Sequence, residues 1–330
     1  QVMIDHFGRS PESVVTVHIG VDEGTFDRTK VQSGQLYRET GIEPGRPVVL
    51  FICRLHPQKR PYLMLEIANS LRHSVPDVAF VVVGDGELED GMKARTQKLG
   101  LENTVYYLGA KKEVRPYYRD AKVTLVCSLK EGLSLTAYES CAMGVPIVSS
   151  DVGGQKDLVD NTVGALIPCL QDEASGINDQ QYSKEEIESY VKPLAEILTD
   201  DKLWQTMSRN ARARIENGFT IQQMVDYFEA EFVRLLSDPT AIDTRHHVAA
   251  SLQATAPLSS EVYTSTMRAE ALEATLDWEH AHRSTVGMPG ESRWHWLKRK
   301  LSGAIQHIRQ EGIGYTWTLF LDKIRKRYAG

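Results

Sequence analysis

The chain has 330 residues, 42% apolar and 25% charged, the proportions of an ordinary folded protein rather than a disordered or fibrous one. That length leaves room for about two domains at roughly 150 residues each. The net charge of -6 hides a split: residues 291–330 carry nine Lys and Arg against three Asp and Glu. The acidic body is therefore an unsuitable partner for nucleic acid, whereas the basic tail could meet an acidic surface.

In chain order, a short strand is expected at 13–17, then a turn-like exit around Gly20 and a polar stretch to Pro44. From there apolar strands and amphipathic helices alternate. Strands are expected at 48–53, 78–83, 104–108, 123–126 and 146–150, and helices at 62–71, 87–98, 114–120 and 135–143. Pro61 opens the first of these helices, where a missing N–H costs nothing. Near-continuous apolar strands separated by helices mean a parallel sheet covered on both faces, a doubly wound α/β domain. A short apolar run at 165–167, a polar insert at 171–183 and three closing helices at 184–198, 203–217 and 221–236 follow. Residues 238–290 read as a linker with one helix at 266–280, and 291–330 as two amphipathic helices broken between Gly312 and Gly314.

No apolar run approaches the ~20 residues of a membrane span, and the first residues lack a secretory pattern. Cys53, Cys127, Cys141 and Cys169 form no C-x-x-C pair, and Cys53 and Cys127 fall inside apolar strands as buried, inert thiols. The expected compartment is the reducing cytoplasm, with a peripheral place at the membrane face if the tail lies on lipid.

The segment 131–139 is the most informative. Glu131 and Glu139 lie eight positions apart, straddling the small loop Gly132, Leu133, Ser134 and the helix start at Leu135 and Thr136. A helix N-terminus offers free N–H groups and the positive end of a dipole, so its natural ligand is a phosphate. Carboxylates beside such a site accept hydrogen bonds from sugar hydroxyls, which suggests a sugar–nucleotide site.

Arg54 and Lys59 follow the strand at 48–53, on the carboxyl edge where open α/β sheets bind ligands. They can neutralise a diphosphate, the Arg as a planar fork and the Lys as a point charge, or be solvated surface cations. Gly84 and Gly86 end the next strand, as a close backbone approach to a ligand or a plain turn. Glu89 stands where a third glycine would complete a nicotinamide-dinucleotide fingerprint, and no G-x-x-x-x-G-K-[ST] loop occurs. Gly153 and Gly154 mark the same edge again. The ten histidines lack metal-ligand spacing, so no metal is expected, and Ser134 and Ser140 lack the setting of a hydrolase nucleophile.

In order, Gly20-Val-Asp22, Arg54 with Lys59, Val83 to Gly86, Leu108-Gly109, Glu131 to Glu139, Ala142 to Pro146 and Asp151 to Gly154 resemble the nucleotide-sugar domain of glycosyltransferase family 4, of GT-B architecture. The resemblance covers about 14–235. It implies that Arg54 and Lys59 hold the donor diphosphate and that Glu139 binds the ribose. Glu131, with the amides of 132–135, would orient the sugar, and the turn at Ala110 and Lys111 would meet the base. It further implies a UDP-, GDP- or ADP-sugar donor, retention of configuration, no metal or prosthetic group, and a glycan, lipid-linked or protein acceptor. Ser134 departs from the family's frequent glycine.

The implied layout is 1–30 as the end of an acceptor domain plus linker, 31–237 as the donor-binding domain, 238–290 as a partly helical linker and 291–330 as a basic helical tail. The tail is expected to pack on a neighbouring domain, or else to lie on an anionic membrane face. Only an apparent last strand of the acceptor domain stands here, so the chain is expected to be a fragment, the alternative being an acceptor half on another chain. A non-catalytic nucleotide-sugar module and a sugar-nucleotide epimerase are the competing functional classes.

Overall fold

The computed structural model of the protein describes residues 14–170 and 182–237. Six strands form one parallel sheet: β1 (Val48–Ile52), β2 (Ala79–Val83), β3 (Val105–Tyr107), β4 (Val123–Val126), β5 (Ile147–Asp151) and β6 (Gly164–Pro168). Their order is β3-β2-β1-β4-β5-β6, and every pairing is parallel. β2 is buried along its whole length and β1 at four of its five positions, as helices on both faces require. The doubly wound reading therefore holds.

The connecting helices are α1 (Gln35–Thr40), α2 (Pro61–Leu71), α3 (Glu89–Lys98), α4 (Arg115–Asp120), α5 (Leu135–Ala142) and α6 (Gln155–Leu158). Two more close the fold, α7 (Lys184–Thr199) and α8 (Asp201–Glu216), and α9 (Ile221–Ser237) follows them in the chain. On one face α2 and α7 cover the sheet, with Leu63, Ile67, Leu194 and Ile197 packed against Phe51, Phe80 and Leu125. Elsewhere α5 packs on α8 through Tyr138, Cys141, Ala211 and Ile215, while Leu36, Tyr117 and Tyr118 cover Leu50 and Val81. Each fully buried Leu or Ile contributes about 1.5–3 kcal/mol by leaving water.

Two compact units divide the chain, His18–Met224 being the sheet domain. In the other, residues 14–17 are not a strand, which corrects the expectation for 13–17 over its described part; Val15 is 52% exposed, so among the described residues no neighbouring strand covers the Val-rich run. The polar insert to position 181, the helix expected at 266–280 and the two tail helices lie outside the described residues. No helix among the described residues is long and apolar enough to cross a membrane.

Candidate active site

β1 and β4 are neighbours in the sheet, yet β1 leads away through α2 to β2 on one side, and β4 leads through α5 to β5 on the other. This is the topological switch point, where the divergence of the two connections opens a crevice at the carboxyl ends of the strands. Lys59, Ser128, Glu131 and Ser134 line that crevice, with Cys53 and Cys127 beneath them.

Lys59 ends a single 3-10 turn, Pro57–Lys59, that follows β1. Its Nζ donates to Glu131 Oε1 at 2.5 Å, and Ser128 Oγ donates to the same oxygen at 2.7 Å. The two charged side chains are 22% and 10% exposed, so solvent screens the pair only in part. Gln58 ties the two loops together: its carbonyl accepts the Leu129 N–H at 2.8 Å, and its Nε2 donates to the Lys130 carbonyl at 2.7 Å.

Beyond Glu131 the chain passes Gly132 and Leu133 to Ser134, the N-cap of α5, whose side chain makes no capping bond. The first-turn N–H groups of α5 thus receive no side-chain acceptor from Ser134. Leu135 is 60% exposed beside them. Thr136 Oγ1 donates to the Ile52 carbonyl at 3.1 Å, which binds α5 to the end of β1.

One helical turn deeper, Glu139 Oε2 accepts the Tyr118 hydroxyl at 2.9 Å. Burial pushes the Glu139 carboxyl above its ordinary range, and the Tyr118 bond only partly offsets this. Tyr118 itself is fully buried, which pushes its phenol well up as well.

The remaining expected site residues behave differently. Arg54 is exposed, and its side chain makes no hydrogen bond or ion pair among the described residues. Gly84 and Gly86 have positive φ, and a Cβ on them would lie 1.9 Å from the Cys53 carbonyl oxygen and 2.5 Å from that of Leu55. Close packing of the β2 exit on the β1 exit thus accounts for both glycines without a ligand. Ala110 and Lys111 follow the turn at Gly109, whose carbonyl accepts the Gly84 N–H at 2.9 Å. The Lys111 ammonium turns to Glu39 on α1, 2.8 Å away. Cys53 is only partly buried, contrary to expectation, whereas Cys127 is buried and its thiol pushed up to about 12 by desolvation.

Sequence reasoning missed Arg60. It is fully buried, directly follows Lys59, and is ion-paired to Glu186 on α7. It is also the one non-glycine residue with positive φ among the described residues, at 53°. Neither property leaves a sequence signal, since Arg is ordinarily exposed. A separate cavity of about 410 Å³ runs along the edge strand β3, lined by Glu39, Thr96 and Tyr107, away from the switch point.

A cation–carboxylate pair and the N-terminus of α5 thus meet at the switch point of a doubly wound sheet, the place where such α/β domains take their ligands. Residues 34–214 match the model of the glycosyl transferases group 1, and the chain belongs to that family. The UDP-Gal:alpha-D-GlcNAc-diphosphoundecaprenol alpha-1,3-galactosyltransferase of Escherichia coli is 28% identical over 240 residues, covering 72% of this chain and 58% of that enzyme. A glycosyltransferase from Rickettsia africae ESF-5 has the same fold, with TM-score 0.62 and 18% identity over 72% of this chain and 61% of its own. The C-terminal domain of a glycosyl transferase group 1 family protein (LpcC) from Francisella tularensis is covered in full by 61% of this chain, with TM-score 0.51 and 19% identity. The architecture is thus one Rossmann-like half of a GT-B glycosyltransferase. The chain spans about half the length of the curated relatives it matches.

Proposed function

We propose that this chain is the donor-binding half of a retaining glycosyltransferase that moves a sugar from a nucleoside diphosphate to an acceptor hydroxyl. The carrying observation is the Lys59–Glu131 pair in the switch-point crevice beside the N-terminus of α5. In this reading residues 31–237 bind the donor and an N-terminal acceptor domain completes the enzyme. Complete coverage of an isolated C-terminal domain and partial coverage of whole relatives support that division.

Lys59 and Arg54 hold the diphosphate, joined by the N–H groups of Leu135 and Thr136. Glu139 accepts the ribose hydroxyls, and Glu131 with the loop Gly132–Ser134 orients the sugar. The backbone at Ala110 and Lys111 meets the base. When the bond from the anomeric carbon to the diphosphate oxygen breaks, negative charge grows on the leaving group. Cations and a helix tip already in place stabilise that charge more in the transition state than in the ground state. The acceptor oxygen bonds to the anomeric carbon on the face being vacated, and its proton passes to the departing phosphate oxygen. This gives retention without an enzyme nucleophile.

The name of the Escherichia coli relative supports a uridine diphosphate donor and a lipid-linked acceptor. Thermal melts with UDP-, GDP- and ADP-sugars test the reading, because a ligand that binds the folded state raises Tm by mass action. A rise with UDP-sugars is expected; no rise with any of the three overturns it.

A further inference from the structure

The end of β5 and the turn after it are built as a backing plate for the loop that carries Glu131. Ser150 Oγ donates to the Ser128 carbonyl at 2.6 Å, and the Gly154 N–H donates to the Gly132 carbonyl at 2.6 Å. Gly153, at φ 58°, comes so close that a Cβ would lie 1.8 Å from the Glu131 carbonyl oxygen. The last link is a side chain: Gln155 Oε1 accepts the Ser134 N–H at 3.0 Å, and its Nε2 donates to Ser149 Oγ at 2.8 Å. Gln155 has no exposed surface, so this amide is fully committed to the two bonds.

The Ser134 N–H stands at the tip of α5, among the groups that make a helix N-terminus attractive to anions. Occupying it with a side-chain oxygen fixes the orientation of the tip. A carboxylate could make the same bond, more strongly, but would set a full negative charge behind the place where a phosphate sits. An amide holds the N–H and leaves the field of the helix tip positive.

Resting on the donor-site reading above, we propose that Gln155 is a positioning residue for the donor diphosphate, a neutral acceptor that anchors the tip of α5 through Ser134 without opposing the phosphates. A residue that only stabilised the fold would weaken all nucleotide ligands alike. Gln155 acts on the phosphates, so its loss narrows the preference for a diphosphate over a monophosphate.

The test measures, by calorimetry on the full chain, the ratio of UDP to UMP affinity in wild type, Gln155→Glu and Gln155→Met. Gln155→Glu keeps the shape and an oxygen for the Ser134 N–H but replaces the donating Nε2 with a second acceptor oxygen and adds charge; the ratio is expected to fall by about tenfold, the size of one unit-charge repulsion at an effective dielectric near 20 over about 12 Å. Gln155→Met removes the anchor without adding charge, and a smaller fall of about threefold is expected; it also serves if the charged variant fails to fold. A ratio unchanged from wild type in the folded variants overturns the proposal, whatever happens to Tm. A wild type that does not prefer UDP, GDP or ADP over its own monophosphate overturns the donor-site reading instead, independently of Gln155.

Discussion

Glu131 accepts the ammonium of Lys59 at 2.5 Å although the two residues leave different strands of the sheet, so each charge holds the other's loop across the switch point. Replacing Lys59 with Met removes the cation and leaves the Glu131 carboxylate with Ser128 as its remaining hydrogen-bond donor. The loss of one charge-assisted contact to phosphate is worth roughly 1.5–3 kcal/mol. Calorimetry of UDP-sugar binding is expected to show a loss of about tenfold to a hundredfold. An affinity within twofold of wild type would remove Lys59 from the diphosphate site.

Glu139 sets stability against binding. Burial holds its carboxyl above the ordinary 4.5, so the folded chain keeps this proton more tightly than the unfolded one. The corresponding stability is fully present below about pH 4.5 and is lost as pH rises through the elevated folded value. Glu139→Gln is therefore expected to raise Tm at neutral pH but not in acid, with the Tyr118 hydroxyl still donating to the new amide oxygen. The same variant is expected to bind nucleotide sugar at least about tenfold more weakly, as loss of a charged acceptor for hydroxyls implies. Melting curves at two pH values and one titration decide both halves.

Gly153 and Gly109 share a left-handed backbone but not a neighbourhood. A Cβ at Gly153 meets the Glu131 carbonyl, whereas one at Gly109 meets nothing within 4 Å. Gly109→Ala should cost only the strain of the conformation, about 1–2 kcal/mol. Gly153→Ala adds a forced shift of the donor loop and is expected to cost about 3 kcal/mol or more in urea unfolding, with weakened nucleotide binding. Equal costs would show that the loop gives way freely.

Arg60 and Glu186 form a buried ion pair, and removing one partner strands the other charge. Glu186→Leu is expected to cost about 3–5 kcal/mol. The double replacement Arg60→Met with Glu186→Leu should cost less than that single change, because no unpaired charge stays inside. Denaturant midpoints of the three variants give the comparison.

The strands were legible because their chemistry is one-dimensional. Ala79 to Val83 is apolar without alternation and is a strand buried along its full length. The Glu131 loop was legible for the same reason, since charge, small residues and helix start are contiguous. What escaped depends on distant partners. Helix α1 lies in what the sequence presents as a polar stretch, having Leu36 as its single buried residue, and its start is satisfied by Asp120, whose carboxylate accepts the Ser33 hydroxyl and the Gly34 and Leu36 amides. Gly84 and Gly86 were visible as special positions, but only the approach to Cys53 and Leu55 distinguishes backbone packing from ligand contact. Gln155 carries no sequence signal: a glutamine looks like surface until Ser134 and Ser149 close around it.

The pairing of β1 with β4 bears on biogenesis. As the polypeptide leaves the ribosome, β2 and β3 emerge between the two strands that must become neighbours. A nascent chain halted after β3 holds Lys59 but has no Glu131 to meet it, and α5 has not yet been made. In the proposed reading, nucleotide capture has to wait until the central seam closes, and a ligand can protect only chains that have already passed that step.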